Sequence, residues 1–456
     1  MTTGADGAAK TYQDEATEVL RTLIRHRCVN DGTTGSGGEI ASAAFLAEYL
    51  TGAGLDLEIV EPCPGRGSLI ATLPGRDGPP GGLVLMGHTD VVPADGAGWS
   101  VPPFDGALID GVVWGRGAVD MLGMTATMAV ALRHLGSTGF RPAADVTLLA
   151  VADEEAGGHH GAGWLAVNRP ELFRGRSVVT ESGGFPLRTG VGVRLECFVG
   201  EKGALGARVV VAGHSAHAAF PYGTENPLYR LGPVLERLRE HRPAPVVDDV
   251  WLAYVDGMDL PEAWSRALSN PHTFDQALAA VPLGLARHFH AVTRTTVTPT
   301  IVRGGAKRNV VPGRVEIDLD VRVAPGQSEA EVRAVISGLF DGLDGVRVEF
   351  AGWRPGSASD RRAPLWMALE RVTAELLPGA VMVPAISAAT TDGRHVRPLD
   401  VPCYGYGLFS ERIPATEFFR MFHSTDERID QDSLVLLCQL WEGLARYGLI
   451  GAAPTA

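Results

Sequence analysis

The sequence predicts an α/β protein: a sheet whose strands alternate with helices, carrying a second, smaller α+β unit inserted into the chain. Three observations predict it. Apolar runs of strand length alternate with helical spacings over the first part of the chain. After Gly190 the order changes to strand, helix, strand, strand, helix, strand, which fits a small β-α-β-β-α-β sandwich. From about Ser359 the helix and strand alternation resumes, so the last part completes the first unit.

Residues 11 to 27 and 39 to 53 have helical spacing, with Gly52 and Gly54 as stop signals. "GSLIATLPG" and "GGLVLMGHTD" read as strands separated by Gly/Pro turns, and "GMTATMAVALRHLG" as a buried helix. "DVTLLAVADEE" and "SVVTESGG" are again apolar strands that end in acids. In the second unit the strands are "GARVVVAGHSA", "TTVTPTIVRGG", "RVEIDLDVRVAP" and "VRVEFAGW", and the helices "NPLYRLGPVLERLREH" and "SEAEVRAVISGLF". A longer insertion between Arg242 and His290 is expected to be helical. The expected division is residues 1–191 and 353–456 for the first unit, and 192–352 for the inserted one.

At 456 residues and 45% hydrophobic, the chain can bury a large core. A formal charge of -13 argues against nucleic acid as a partner, because phosphate binding needs a basic surface. No apolar run reaches the roughly 20 residues that cross a bilayer, and the polar N-terminal stretch lacks the pattern of a signal peptide. Five scattered cysteines (Cys28, Cys63, Cys197, Cys403 and Cys438) form no CxxC pair and suit reduced thiols in a cytoplasmic protein.

The chemistry gathers at strand ends. His88 and Asp90 close "LMGHTDVVP" and, two residues apart on a strand, share a face. Asp120 lies in "GRGAVDMLG", Glu154 and Glu155 in "ADEEAGG", Glu181 in "TESGG" and His423 in "MFHSTDE". Ligand sites in α/β sheets lie beyond the carboxyl ends of the strands, so these residues point at one place. Two imidazoles and several carboxylates without a thiolate suit zinc, cobalt or manganese. One carboxylate too many for a single tetrahedral ion suggests two metals sharing a bridging group. The adjacent glutamates can divide the labour, one ligating and one acting as general base, with Asp90 accepting from the other nitrogen of His88.

Other chemistries fit poorly. The nearest string to GxSxG, "GHSAH", fails at its last position. No histidine is followed by Glu, which excludes HExxH. "GRGAVD" ends in Asp where a dinucleotide fingerprint needs Gly or Ala. His159 and His160 are expected to be solvated loop residues.

With these segments assembled, the chain resembles the dinuclear zinc exopeptidases and amidohydrolases of metallopeptidase family twenty, which include aminoacylase, carboxypeptidases G and S, and succinyl-diaminopimelate desuccinylase. "GHTDVVP", "WGRGAVDMLG", "DEEAGG", "TESGG", "GHSAHAAFPYGTENP", "GGAKRNVVPG", "TTDGRH" and "MFHSTDE" carry the resemblance over nearly the whole chain. It implies a zinc-exopeptidase-like α/β/α catalytic domain whose insert is a lid that dimerises. Two divalent ions, zinc before cobalt or manganese, would be held by His88, Asp120 (bridging), Glu155, Glu181 and His423, with a cis peptide after Asp120. Glu154 would be the base acting on a bridging metal-bound water. His217, rather than His214, matches a histidine that reaches the substrate carbonyl, often in the partner's site. Asn309 matches a lid residue facing the substrate, or is a turn residue only. Arg394 matches an arginine for the substrate carboxylate. Arg322 either assists it or is a surface strand arginine. Ala388-Ala389-Thr390 stands where relatives have Gly-Gly-Thr, which leaves the shape of the pocket around Thr390 open.

The implied activity is amide hydrolysis beside a free carboxylate on a small molecule, by a homodimer acting on neither nucleic acid nor membrane. A broad peptidase or aminoacylase is preferred over a biosynthetic deacylase. A non-catalytic metal-containing binding protein on the same fold is the rival from another class.

Overall fold

A computed structural model describes residues 3–76 and 81–449. The strand Leu83–His88 is its axis. Leu83 and Leu85 pack into one hydrophobic cluster, Val84 and Met86 into another, because successive strand residues face opposite sides. On the first side lie the helices Thr3–His26, Leu122–Ser137, Pro364–Leu376 and Gln431–Tyr447, which supply Leu20, Leu132, Leu369 and Leu440. On the second lie Ala162–Asn168, with Leu165, and the segment around Val396. With both faces covered, a continuous apolar run is the pattern required.

The large sheet runs in the order Asp56–Cys63, Arg66–Leu73, Val146–Val151, Leu83–His88, Ser177–Thr180, Cys403–Gly405, Gly192–Glu201. Val146–Val151, Leu83–His88, Ser177–Thr180 and Cys403–Gly405 are mutually parallel neighbours. The three apolar strands that end in acids or histidine therefore lie side by side and deliver their last residues to one edge. Gly87 lets the helix Leu122–Ser137 pack there: a Cβ would lie 2.4 Å from Thr125 Oγ1, whose hydroxyl donates to the His88 carbonyl.

The small sheet has the order Thr296–Gly304, Arg314–Val323, Gly203–Ala212, Val346–Arg354, all antiparallel. Helices Pro227–Glu240 and Glu329–Gly338 supply Val234, Val332 and Ile336 to its core. Arg314–Val323 alternates strictly between buried and less buried positions, as a strand with one covered face should.

The boundaries expected at 192 and 353 are displaced. Gly192–Glu201 belongs to the large sheet, where it pairs in parallel with Val381–Ser387. Its near-continuous burial, unlike the alternation of Arg314–Val323, marks a strand covered on both faces. At the other end, Val346–Arg354 stays in the small sheet and Ser357–Ala358 rejoins the large one. The chain thus crosses between sheets at Lys202 and at Pro355-Gly356.

The insertion after Arg242 forms four helices, Asp249–Gly257, Glu262–Leu268, Phe274–Ala280 and Leu283–Thr293. Although it leaves the chain from the small unit, Trp251, Tyr254 and Phe289 pack with Val383 and Ala385 of the large sheet. The first helix begins at Thr3, earlier than the spacing from residue 11 implied. Among the described residues no helix is long and apolar enough to cross a membrane.

Candidate active site

His88 is the last residue of its strand and is buried. Its Nδ1 lies 2.9 Å from the main-chain oxygen of Asp90. A carbonyl only accepts, so Nδ1 donates to it, which fixes the ring and leaves Nε2 turned to the carboxylates. Nε2 faces Asp120 Oδ1 at 3.3 Å and Glu181 Oε2 at 3.8 Å, as a donor to these acceptors or, with a cation between them, as a ligand. The orienting contact expected from the Asp90 carboxylate thus comes from its carbonyl, and the carboxylate is 3.6 Å from Nδ1. It is occupied elsewhere: it accepts the backbone N–H of Glu154 at 3.2 Å and of Glu155 at 3.0 Å, and the Asn30 amide at 2.9 Å. Asp90 therefore fastens the turn that carries both glutamates.

That turn leaves the strand Val146–Val151 through Asp153, which adopts φ 71. Asp153 is buried, takes the His160 N–H at 3.0 Å and is approached by Asn30 and Arg66. Glu181 follows Ser177–Thr180 directly. His423 lies just beyond the helix Ala415–Met421, at φ 55, with its side chain half exposed. Its Nε2 is 3.2 Å from Asp120 Oδ2 and 3.3 Å from Glu155 Oε2. Asp120 thus offers one oxygen to each imidazole.

Glu427, absent from the sequence reading although it lies in the motif quoted for His423, holds Asp120 in place. Fully buried, it accepts the backbone N–H of Gly117, Val119 and Asp120 at 2.8 to 2.9 Å and pairs with Arg116 at 2.8 Å. The Asp120–Met121 peptide is cis, as the resemblance implied.

Burial raises Glu181 to about 8 and lifts Glu154 well above the carboxylate range, Glu181 and Asp392 adding to the latter. Hydrogen bonds to Asp120 and Glu155 raise His423 to about 10. Asp120 moves the other way: burial opposes ionisation, but the two histidines outweigh it and hold its carboxyl below the usual range. Four carboxylates in a dry site are favourable only with positive charge among them. Two triads have ligand atoms mutually within 4.8 Å: His88, Asp120 and Glu155, and His88, Glu154 and Glu181. Glu154, read as a base, thus stands within ligand distance of the others. Glu155 Oε1 is buried with no hydrogen-bond partner, as an oxygen reserved for a cation would be.

Arg394 lies in the short helix Gly393–Val396 beside this cluster, its Nη1 3.4 Å from Glu154 Oε1 and its Nη2 buried without a hydrogen bond, 3.9 Å from Asp392 Oδ1. Asp392, also missed, is buried with neither oxygen hydrogen-bonded; burial pushes it up to about 7. Thr390 is half-buried, and its neighbour Thr391 takes the interior position, donating to Glu201 at 2.5 Å. Arg322 pairs with Asp320 at 2.8 Å. His159 and His160 are exposed.

The insert's residues meet one another rather than the cluster. His217 is exposed and its Nδ1 accepts the Ala219 N–H at 3.1 Å. The ladder Ala216–His217 with Val310–Val311 sets it beside Asn309, whose carbonyl accepts from Ala218 at 3.0 Å.

Known proteins share this architecture. Aminoacylase-1 of Homo sapiens is 29% identical over 399 residues, 86% of each chain. The M20 metallo-carboxypeptidase Sso-CP2 of Sulfolobus solfataricus superposes with a TM-score of 0.69 at 19% identity, over 95% of this chain and 98% of its own. The YXEP protein of Bacillus subtilis, described as a dinuclear metal binding peptidase, superposes at 0.59 and 16% identity over 96% and 98%. The model of peptidase family M20/M25/M40 matches residues 84–447, which takes in every residue of the cluster. The chain belongs to that family and is a metal-dependent hydrolase.

Proposed function

We propose that the protein hydrolyses an amide bond next to a free carboxylate, releasing an amino acid from a short peptide or an acyl group from an N-acyl amino acid. The observation that carries this reading is Asp120, which turns one oxygen to His88 and the other to His423. A carboxylate so placed suits a bridge between two divalent ions, with Glu181 completing the His88 side and Glu155 the His423 side. The nitrogen and oxygen donors fit zinc, and after it cobalt or manganese. When bound, such ions polarise the substrate carbonyl and make water acidic.

Glu154 takes a proton from the attacking water and returns it to the leaving amine, a task suited to a carboxyl whose pKa is raised by its surroundings. Arg394 receives the substrate carboxylate in its planar fork, with Thr390 lining the same loop and Arg322 in support. His217 stabilises the oxyanion from a second copy of the chain, and Asn309 faces the substrate beside it. Dimerisation uses the exposed edge strand Thr296–Gly304 and the outer face of Pro227–Glu240, where Leu228, Tyr229 and Leu235 are exposed. Five unpaired cysteines support a reducing, cytoplasmic setting. The 29% identity to an aminoacylase over most of both chains favours deacylation within this pair of activities.

The test is a screen of metal-loaded enzyme on dipeptides and N-acyl amino acids with free and amidated carboxyl ends. Free carboxylates are expected to win by about tenfold or more in kcat/KM, and chelation to abolish turnover. Equal rates on both forms would remove the role given to Arg394. Tight binding without hydrolysis at full metal loading would leave a binding protein on the hydrolase fold.

A further inference from the structure

Arg354 is the last residue of Val346–Arg354, where the chain leaves the small sheet. In register it stands opposite Ala204, and Ala204 stands opposite Arg322 on the next strand. Residues of one rung share a face, so Arg322 and Arg354 lie on the same side of the sheet, about 9.5 Å apart at their Cα atoms. The rung is anchored at the crossing between sheets: a Cβ on Gly203 would lie 2.2 Å from the Arg354 carbonyl oxygen.

The rung begins beside the loop that carries Arg394: the Lys202 N–H donates to the Ser387 carbonyl at 2.9 Å and Thr391 donates to Glu201 at 2.5 Å. Arg322, Arg354 and Arg394 differ in what balances them. Arg322 has Asp320 at 2.8 Å, and Arg394 has Glu154 at 3.4 Å. Arg354 is exposed, and among the described residues no carboxylate comes within 4 Å of it. Partial burial, Arg394 and Arg322 lower its pKa, against a smaller opposing pull from Glu154. Its charge reaches His395 as well. A guanidinium facing two others, with no anion of its own, is at a repulsive spot that an incoming anion would relieve.

We infer that Arg354 receives a second substrate carboxylate, on the side chain of the amino acid whose α-carboxylate Arg394 holds, so that the released amino acid is aspartate or glutamate. The placement on the amino-acid side, rather than in the acyl group, follows from the rung adjoining the loop from Ser387 to Arg394, to which Lys202 and Glu201 bind it. This rests on the hydrolase reading above and narrows its substrate class.

The test compares N-acetyl-L-glutamate with N-acetyl-L-glutamine, nearly the same shape with and without the charge, by kcat/KM and by calorimetric binding. The wild type is expected to favour the glutamate compound by about ten- to a hundredfold. Arg354→Gln should bring that ratio close to one, and Arg354→Lys should restore part of it, keeping charge without the fork. Three results overturn the inference: no preference in the wild type, a preference that survives Arg354→Gln, or an Arg354-dependent preference for an acidic acyl group such as N-succinyl-alanine. Tighter binding of N-acetylglutamate with no turnover of any compound would uphold the inference and overturn the hydrolase reading. Turnover of both compounds without discrimination would do the reverse.

Discussion

The carboxyl edge of the large sheet and the exposed ladder of the insert carry polar residues in opposite states. At the sheet edge Asp120, Glu155 and Glu181 are largely withdrawn from water and lie within 3.2 to 3.8 Å of the imidazole of His88 or His423. They are braced from behind by the Asp90 carboxylate and by Glu427. On the insert His217 and Asn309 are exposed and their neighbours are each other's backbone. Under the proposed function, the difference follows from what each group must do. Charges that surround a cation need their geometry set in advance, because desolvating them in a loose arrangement costs several kcal/mol per group. A donor that meets substrate only in the transition state can wait in solvent until another surface closes over it.

The largest effect is expected from breaking the buried side. Glu154→Gln should lower kcat by about 10²- to 10⁴-fold, the usual contribution of a positioned proton-transfer group. Metal content, measured by elemental analysis of the purified variant, should stay at the wild-type level. The test bites because Glu154 lies within ligand distance of His88 and Glu181. Loss of an ion together with activity would turn the base into a ligand.

Breaking the exposed side should cost about 10²- to 10³-fold for His217→Ala, with unchanged metal content and unchanged melting temperature. A side chain in solvent leaves no cavity when it is shortened. Mixing this variant with Glu154→Gln under conditions of subunit exchange should recover part of the activity, since half the hybrid sites would hold an intact cluster and an intact histidine. No recovery after demonstrated exchange would assign His217 to its own chain's site and remove the dimer from the mechanism.

The same contrast decides how much could be read from the sequence. The convergence of three strand ends was legible because a continuous apolar run ending in an acid has few bland explanations, and the three strands prove to be adjacent. Glu427 was not legible. A glutamate in "STDERID" reads as solvated, and only the fold brings it to the backbone of residues 117 to 120. Asp392 was hidden for the same reason, since its burial depends on the packing of the loop around Gly158. The second contact of Asp90 escaped because alternation on a strand says which side a carboxylate faces, not which amide it will meet. The boundary near 192 was misplaced because a strand does not announce its sheet. The parallel partner Val381–Ser387 comes some 180 residues later.

The smallest expected effect sharpens the comparison at the point where the two regions join. Lys202 is the single residue between Gly192–Glu201 and Gly203–Ala212 and is 1% exposed. Its Nζ donates to the Ala291 carbonyl at 2.8 Å, from the last helix of the insertion, and to Thr296 Oγ1 at 3.3 Å, at the start of the next strand. Burial lowers its pKa from 10.5 to about 7; Arg322 pushes the same way and Asp320 opposes. Below pH 7 the amine is charged in both folded and unfolded chains, and the cost of burying that charge is present in full. Between about 7 and 10.5 the folded chain holds it neutral while the unfolded chain binds the proton, so stability climbs with pH at no more than about 1.4 kcal/mol per unit. Lys202→Met removes that titration at similar length. Denaturant unfolding at pH 6, 7.5 and 9 should therefore show the variant at its best relative to wild type at pH 6 and falling behind as the pH rises. A difference that stays flat across the range would mean that Lys202 does not change its charge there, and that the junction between the two sheets is held by an ammonium rather than an amine.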